Sequence, residues 1–294
     1  MATDTVRAHA APRSPKAALR QRKPPRLRTV LICASAYLIG IIFLLPYLEM
    51  VITALRPHDQ VTDRDLLPHS ITFSNFTNIW STGLGNNLTT SLEIACGATA
   101  LVLLVAVPAA YYTARRKFRG RGVFLVLVLV TQMFQPTAMI VGIYREFLQF
   151  SMLNSVWSLI LVNAGFNLAF AVWILNAYFG AIPKEIEEAA IVDGCSRLGA
   201  MFRVIIPLAM PGIVTALIFT FIAAWNEFIV ALTLSSGPNA PTPLTVRVSE
   251  FTSQYSVDWG HLFAGSVIAT IPVIILFALI EGKVVSGLTA GSVK

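Results

Sequence analysis

The stretch Val156–Phe179 reads VWSLILVNAGFNLAFAVWILNAYF, with no charged side chain. A helix needs roughly 20 mostly apolar residues to cross the hydrocarbon core of a bilayer, and this segment has them. Working outward, five more segments pass the same test: Thr29–Met50, Ser91–Thr113, Val123–Ile143, Val204–Leu232 and Leu262–Glu281. Composition agrees. Of 294 residues, 55% are hydrophobic and 13% charged, with a mean hydropathy of +0.70; a soluble domain has roughly 25% charged residues. So few charges cannot cover a water-facing surface. The expected fold is an all-α integral membrane protein with six transmembrane helices. The first apolar segment is read as a retained span: its core is too long for a signal peptide, and Pro46-Tyr47-Leu48-Glu49 follows in place of a small-residue cleavage pattern.

The basic residues carry a topology signal. Arg7, Arg13, Lys16, Arg20, Arg22, Lys23, Arg26 and Arg28 precede the first span, and Arg115, Arg116, Lys117, Arg119 and Arg121 follow the second. Lys184, Arg197 and Arg203 lie between spans four and five, with Lys283 and Lys294 after the sixth. The alternate loops hold only Arg56, Arg64, Arg145 and Arg247. By the positive-inside rule, both termini are expected in the cytoplasm. The net charge of +7 is thus topological. The basic residues are not interleaved with aromatics on a polar face, so the expected surroundings are a lipid bilayer and no nucleic acid. Residues 1–28, rich in Pro, Arg and Ala, are expected to form a disordered basic tail. The outer loops Thr53–Thr90 and Thr233–His261 have room for a short helix or a docking surface.

Catalytic and metal-binding patterns are missing from the sequence. His9, His58, His69 and His261 have no ligand spacing, and Cys33, Cys96 and Cys195 share none. Cys33 and Cys96 sit in apolar runs and read as small packing residues. Gly194-Cys195-Ser196 continues as Arg197-Leu198, which is not a nucleophile elbow, and Gly282-Lys283 lacks the rest of a phosphate loop. No metal or cofactor is expected on this chain, and neither ATP binding nor hydrolysis.

The most informative loop joins spans four and five. It runs Ile182-Pro183-Lys184-Glu185-Ile186-Glu187-Glu188-Ala189-Ala190-Ile191-Val192-Asp193-Gly194-Cys195-Ser196-Arg197 and continues through Met201-Phe202-Arg203-Val204-Ile205-Ile206-Pro207. Pro183 suits a first helical turn, and Glu185, Glu187 and Glu188 complement its N-terminal dipole. Ile186, Ala189, Ala190 and Asp193 recur at three- and four-residue spacing and give a face of small residues. Gly194 is a natural stop. A second amphipathic piece around Arg197–Arg203 leads to Pro207 and the fifth span. The product is a short surface helix, suited either to docking on a partner or to plain packing at the membrane.

Glu188-Ala189-Ala190, with Gly194 four residues on and Val204, Ile206 and Pro207 beyond it, resembles the EAA loop of ABC-importer permeases. Ala110-Tyr111-Tyr112 through Arg115, with Phe118-Arg119-Gly120-Arg121, is similar to the end of that family's second span. Ala224-Trp225-Asn226-Glu227-Phe228 resembles its W-N-E-F element, and Gly287-Leu288-Thr289-Ala290-Gly291-Ser292-Val293-Lys294 the C-terminus of maltose-type carbohydrate permeases. The extended basic tail departs from the family pattern. The resemblance implies a type I ABC importer permease fold, with residues 29–294 as a six-span domain and a coupling loop at 181–207. It implies a homologous second permease subunit, an ATPase subunit dimer holding the ATP and Mg, and an extracytoplasmic solute-binding protein. Glu188 would pair with an ATPase arginine, Ala189 and Ala190 would permit close approach, and Gly194 would turn the chain, with Asp193 and Pro207 in the same element. The implied function is import of a carbohydrate or sugar-like solute, glycerol phosphate included, across the inner membrane.

Polar residues within the spans are candidates for a solute path: Gln132 and Gln135 beside Pro136, Asn163 and Asn167, and Asn226 with Glu227. Interhelical hydrogen bonding, worth about 0.6 kcal/mol on average, is the plainer account of the amides. Ionisable residues in spans are costly and often functional, yet Glu227 falls near the outer end of span five, where water or a helix end can satisfy it. Two readings from other classes stay open. An ion-coupled secondary transporter wants ionisable residues or broken helices near the midplane; a membrane scaffold subunit wants neither. Neither needs the 182–207 loop.

Overall fold

The computed structural model describes residues 26–61, 65, 68–116, 118–237, 239–253 and 256–290. Most of the tail expected at 1–28 lies outside the described residues, as do Arg64, Lys117 and the closing residues 291–294. Regular structure among the described residues is helical, apart from an antiparallel bridge between Thr252 and Val257. In chain order the helices are α1 (Arg26–Ala54), α2 (Ser74–Asn78), α3 (Leu84–Arg115), α4 (Arg121–Thr131), α5 (Pro136–Gln149), α6 (Val156–Ala181) and α7 (Lys184–Val192). Then come α8 (Arg197–Ala200), α9 (Ile206–Leu208), α10 (Met210–Trp225), α11 (Ile229–Leu234), α12 (Leu244–Glu250) and α13 (Trp259–Ala290).

The chain forms two compact units divided after Leu48. In the first, the α1 side chains from Leu27 to Leu48 are exposed and mostly apolar, a surface that suits lipid.

The second unit is built on α3, which packs most extensively on α6 and then on α10. Its buried face runs Ala95, Ala98, Val102, Ala106 and Ala110. Lipid tails are as apolar as these side chains, so helix association rests on close van der Waals contact, which small residues allow. Larger side chains of α6, Val172, Leu175 and Phe179, pack into the space the alanines leave, together with Ile205 and Ala216. Gly212, in the first turn of α10, is held by the same closeness: a Cβ there would stand 2.6 Å from Cδ2 of Tyr178 on α6.

Among the described residues, four helices are long and apolar enough to span alone: α1, α3, α6 and α13 as far as Ile280. The third and fifth expected spans are broken. α4 and α5 meet at 94°, and residues 197–208 meet α10 at 75°, so the spans number six if each bent pair counts as one. Prolines mark both breaks. Gln135 is extended (φ −77°, ψ 137°) because a following proline disfavours helical backbone, and Pro136 opens α5. Ala209 (φ −86°, ψ 2°) separates α9 from α10, and a proline lies in the first turn of each. The single helix expected over Val204–Leu232 is corrected accordingly. Residues Met201–Ile205 form a π-helical turn, α10 stops at Trp225, and α11 starts afresh at Ile229. Cys33 and Cys96 are exposed, not packed.

The loops after α1 and after α11 hold short helices pinned to their neighbours. Asn75 of α2 donates to the carbonyls of Ala54 and Arg56, both at 2.9 Å. At the start of α12, Leu244 N donates to Ser91 Oγ of α3 at 2.7 Å.

Gly212→Val should lower the melting temperature of the purified protein through an overpacking cost of about 1–3 kcal/mol. Gly142→Val is the control, since an added Cβ at Gly142 meets nothing within 4 Å. Equal melting curves would mean that α6 and α10 do not pack this closely.

Candidate functional site

The bend between α4 and α5 leaves a polar cavity of about 310 Å³ against α6 and the α10–α11 junction. Gln132, Gln135, Asn163, Asn167 and Glu227 line it, with Phe134 and Phe166 beside them. Asn226 does not; it is exposed at the C-cap of α10. Asn163 Nδ2 donates to Leu159 O (2.9 Å) and Asn167 Nδ2 to Asn163 O (2.8 Å), each one turn back on its own helix. Gln132 makes an interhelical bond, its Nε2 donating to Phe166 O at 3.0 Å. An amide has two donor hydrogens and an acceptor oxygen, so each keeps capacity for a molecule in the cavity.

Glu227 is committed to the fold. Its Oε1 accepts from Val230 N (2.7 Å) and its Oε2 from Ala231 N (2.9 Å). These are among the N–H groups that a helix start leaves unpaired, and lipid cannot satisfy them. The carboxylate also sits at the positive end of the α11 dipole. A helix end satisfies Glu227, though its side chain still borders the cavity. A larger neighbouring cavity of about 510 Å³ has Thr131 as its one polar side chain among apolar groups such as Met139, Ile143 and Leu161. It offers a solute almost nothing to hydrogen-bond, so the smaller cavity is the better candidate.

The second candidate region is the loop helix. Pro183 is the N-cap of α7, with Glu185 and Glu187 in the first turn. At the other end Cys195 N donates to Ala190 O (3.0 Å) and Gly194 N to Ile191 O (3.1 Å), with Gly194 at φ +90°. This left-handed closure favours glycine. Ser196 Oγ then accepts from Gly199 N (3.1 Å) and starts α8. The expected face of small residues is split. Ala190 is buried at 8% exposure, in a helix that packs on residues 197–205, whereas Ile186, Glu188, Ala189 and Asp193 are exposed. Pro207 is exposed in α9. Val192, Leu198 and Phe202 add exposed apolar side chains.

Sequence reasoning missed Glu187. Its Oε2 lies 3.1 Å from Arg115 Nε, and its Oε1 accepts from Tyr111 OH at 2.6 Å. Arg115 Nη1 also donates to Ile182 O at 2.8 Å. The Arg115 and Glu187 side chains are only 6% and 12% exposed. The available signal was a basic cluster closing one span and an acidic cluster opening a loop helix on the same side.

Apolar helices, two of the expected spans broken, and a polar cavity at one break mark a multi-pass membrane protein. Residues 103–285 match the family described as binding-protein-dependent transport system inner membrane component, and the chain belongs to that family. It is 34% identical over 266 residues to the sulfoquinovosyl glycerol transport system permease protein SmoH of Agrobacterium fabrum, covering 90% of this chain and 92% of the relative. It is 35% identical over 266 residues to the diacetylchitobiose uptake system permease protein DasC of Streptomyces coelicolor, covering 90% and 95%. Its fold is similar to a chain in the crystal structure of a bacterial ABC transporter involved in the import of the acidic polysaccharide alginate. There the TM-score is 0.75 and the identity 23%, over 89% of this chain and 99% of that one. The chain is an ABC-importer permease of the inner membrane, and the secondary-transporter and scaffold readings fall away.

Glu227→Ala should loosen α11 by about 1 kcal/mol, read as roughly fivefold faster hydrogen exchange at Val230 and Ala231, with Glu227→Gln in between. Unchanged exchange together with lost transport would instead assign Glu227 to the solute.

Proposed function

We propose that the chain is one of two pore-forming subunits of an ATP-driven importer for a carbohydrate or sugar-like solute. In this reading a homologous permease completes the pore and a binding protein delivers solute from outside. A separate ATPase dimer, carrying the ATP and Mg, docks on α7. Both termini and the 181–207 loop then lie in the cytoplasm, in line with the positive-inside rule.

The observation that carries the solute reading is the polar cavity. Four amides and a carboxylate face about 310 Å³ of space beside two phenylalanines. Sugar hydroxyls both donate and accept, and amides answer both roles; aromatic side chains suit the apolar face of a sugar ring. Two relatives are named for sulfoquinovosyl glycerol and diacetylchitobiose, which supports a sugar-like solute without choosing one. Deleting the chain should abolish high-affinity uptake of one sugar or sugar-like compound. Gln135→Ala should weaken that uptake about two- to tenfold, the worth of one hydrogen bond. Loss of amino-acid, peptide or metal uptake with sugars unaffected would overturn the carbohydrate reading.

Docking is supported by an exposed Glu188 in a helix that also exposes Ile191 and Val192. Breaking a buried ion pair typically costs about 3–5 kcal/mol, against about 0–1 kcal/mol for an exposed one. Glu188→Ala should therefore loosen the ATPase subunits and abolish solute-stimulated hydrolysis in the purified complex, while Glu185→Ala should be silent. Full coupling with normal subunit retention in Glu188→Ala would sink the docking reading.

Orientation is tested separately. In a cysteine-free background, single cysteines replacing Arg119 and Lys184 should react with impermeant thiol reagents only from the cytoplasmic side, and one replacing Ser81 only from outside. Labelling of position 184 from outside intact cells would contradict this topology.

A further inference from the structure

We propose that Glu187, Arg115 and Tyr111 form the joint through which α7 moves the spans, so that adjacent glutamates divide the work. Glu188 faces the partner, and Glu187 holds the helix to its own permease. This rests on the reading of α7 as the ATPase contact.

α7 has nine residues and one buried apolar side chain, Ala190. So little buried surface cannot by itself carry a load, and a push on such a helix would be absorbed by its flanking loops. The ionic contact changes that. Arg115, in the last turn of α3, sits 3.1 Å from Glu187 and donates to Ile182 O at 2.8 Å. It therefore grips both α7 and the peptide that enters it. Tyr111, one turn earlier on the same face of α3, donates to the other carboxylate oxygen at 2.6 Å. The Tyr111 ring also meets Phe179 of α6 edge-on, with centroids 6.0 Å apart. Two side chains of α3 thus hold one carboxylate of α7, and the same two side chains also touch Phe179 of α6 and the Ile182 carbonyl after it.

The position of α3 decides where the motion goes. α3 packs chiefly on α6 and α10, and residues of α6, α10 and α11, together with the α10–α11 linker, line the polar cavity. A displacement of α7 reaches the cavity walls through packed, rigid helices. Successive residues on a helix point about 100° apart, which lets Glu187 be nearly closed to solvent while Glu188 stays exposed. Glu187 is a positioning residue: it is assigned no contact with solute or nucleotide.

The test uses the complete transporter, reconstituted in lipid with its loaded binding protein. Glu187→Gln and Arg115→Met should keep the ATPase subunits bound and basal hydrolysis unchanged. Solute-stimulated hydrolysis and import should fall about tenfold, within the range of coupling energies. The double swap Arg115→Glu with Glu187→Arg should recover most of that loss, whereas either swap alone should not. Tyr111→Phe removes one hydroxyl and leaves the fold intact; it should lower stimulation about two- to threefold. Full import in Glu187→Gln, no recovery in the double swap, or release of the ATPase by Glu187→Gln would each overturn the joint. The docking reading fails separately, if Glu188→Ala keeps full retention and coupling in the same assay.

Discussion

Lipid offers no hydrogen bonds, so a membrane helix can break only where the protein or water satisfies the freed backbone groups. That constraint organises this molecule. At the α4–α5 break, Met133 N still donates to Val130 O, and the Gln132 side chain crosses to Phe166 O. At Ala209 the ladder continues almost without loss, with Ala209 N donating to Ile205 O and Ile213 N to Ala209 O. Between α10 and α11 the Glu227 carboxylate takes the first amides of the new helix. The polar cavity lies where the first and third of these breaks meet. The groups that make the breaks tolerable are therefore also the groups that border the cavity.

α3 connects this region to both ends of the bundle. Its alanine face lets α6 and α10 approach closely. At its polar start, Ser91 and Asn87 anchor the backbone of Leu244 and Thr242. At its other end Arg115 holds the α7 loop. Such a helix moves as a body, because tight packing resists local deformation.

Much of the fold was legible because a spanning helix is written in composition. Val156–Phe179 was expected and Val156–Ala181 is found. For α3, Ser91–Thr113 was expected, yet the helix begins at Leu84. Leu84–Thr90 is polar because the α12 loop docks there, and hydropathy is blind to a tertiary partner. The breaks were not legible. Pro46, Pro108 and Pro272 lie inside unbroken helices, while Pro136 and Pro211 coincide with sharp bends. A proline permits a break, and packing decides whether one occurs. Broken helices had been associated with secondary transporters, and here they occur in a permease of another class. Of the loop helix, Pro183 and Gly194 marked the ends well, since both act through local backbone geometry. The partners of Glu187 lie far off in the chain, and nothing local distinguishes Glu187 from Glu185 or Glu188.

The choice of an ion pair at that point is itself informative. Replacing a buried pair by well-packed apolar side chains is often neutral or stabilising, so strength alone does not account for charge here. A nine-residue helix with one buried apolar side chain has too few such contacts to fix its orientation. The Tyr111 hydroxyl gives one carboxylate oxygen a directional hydrogen bond, while the Arg115 guanidinium lies 3.1 Å from the other and bonds the Ile182 carbonyl, so that two groups of α3 locate the helix that bears Glu187. With one glutamate so fixed, its neighbour about 100° around the helix is presented in a defined direction too. If α7 is the ATPase contact proposed above, it needs that orientation more than it needs adhesion. The buried pair is thus better understood as setting the aim of α7 than as stabilising the bundle.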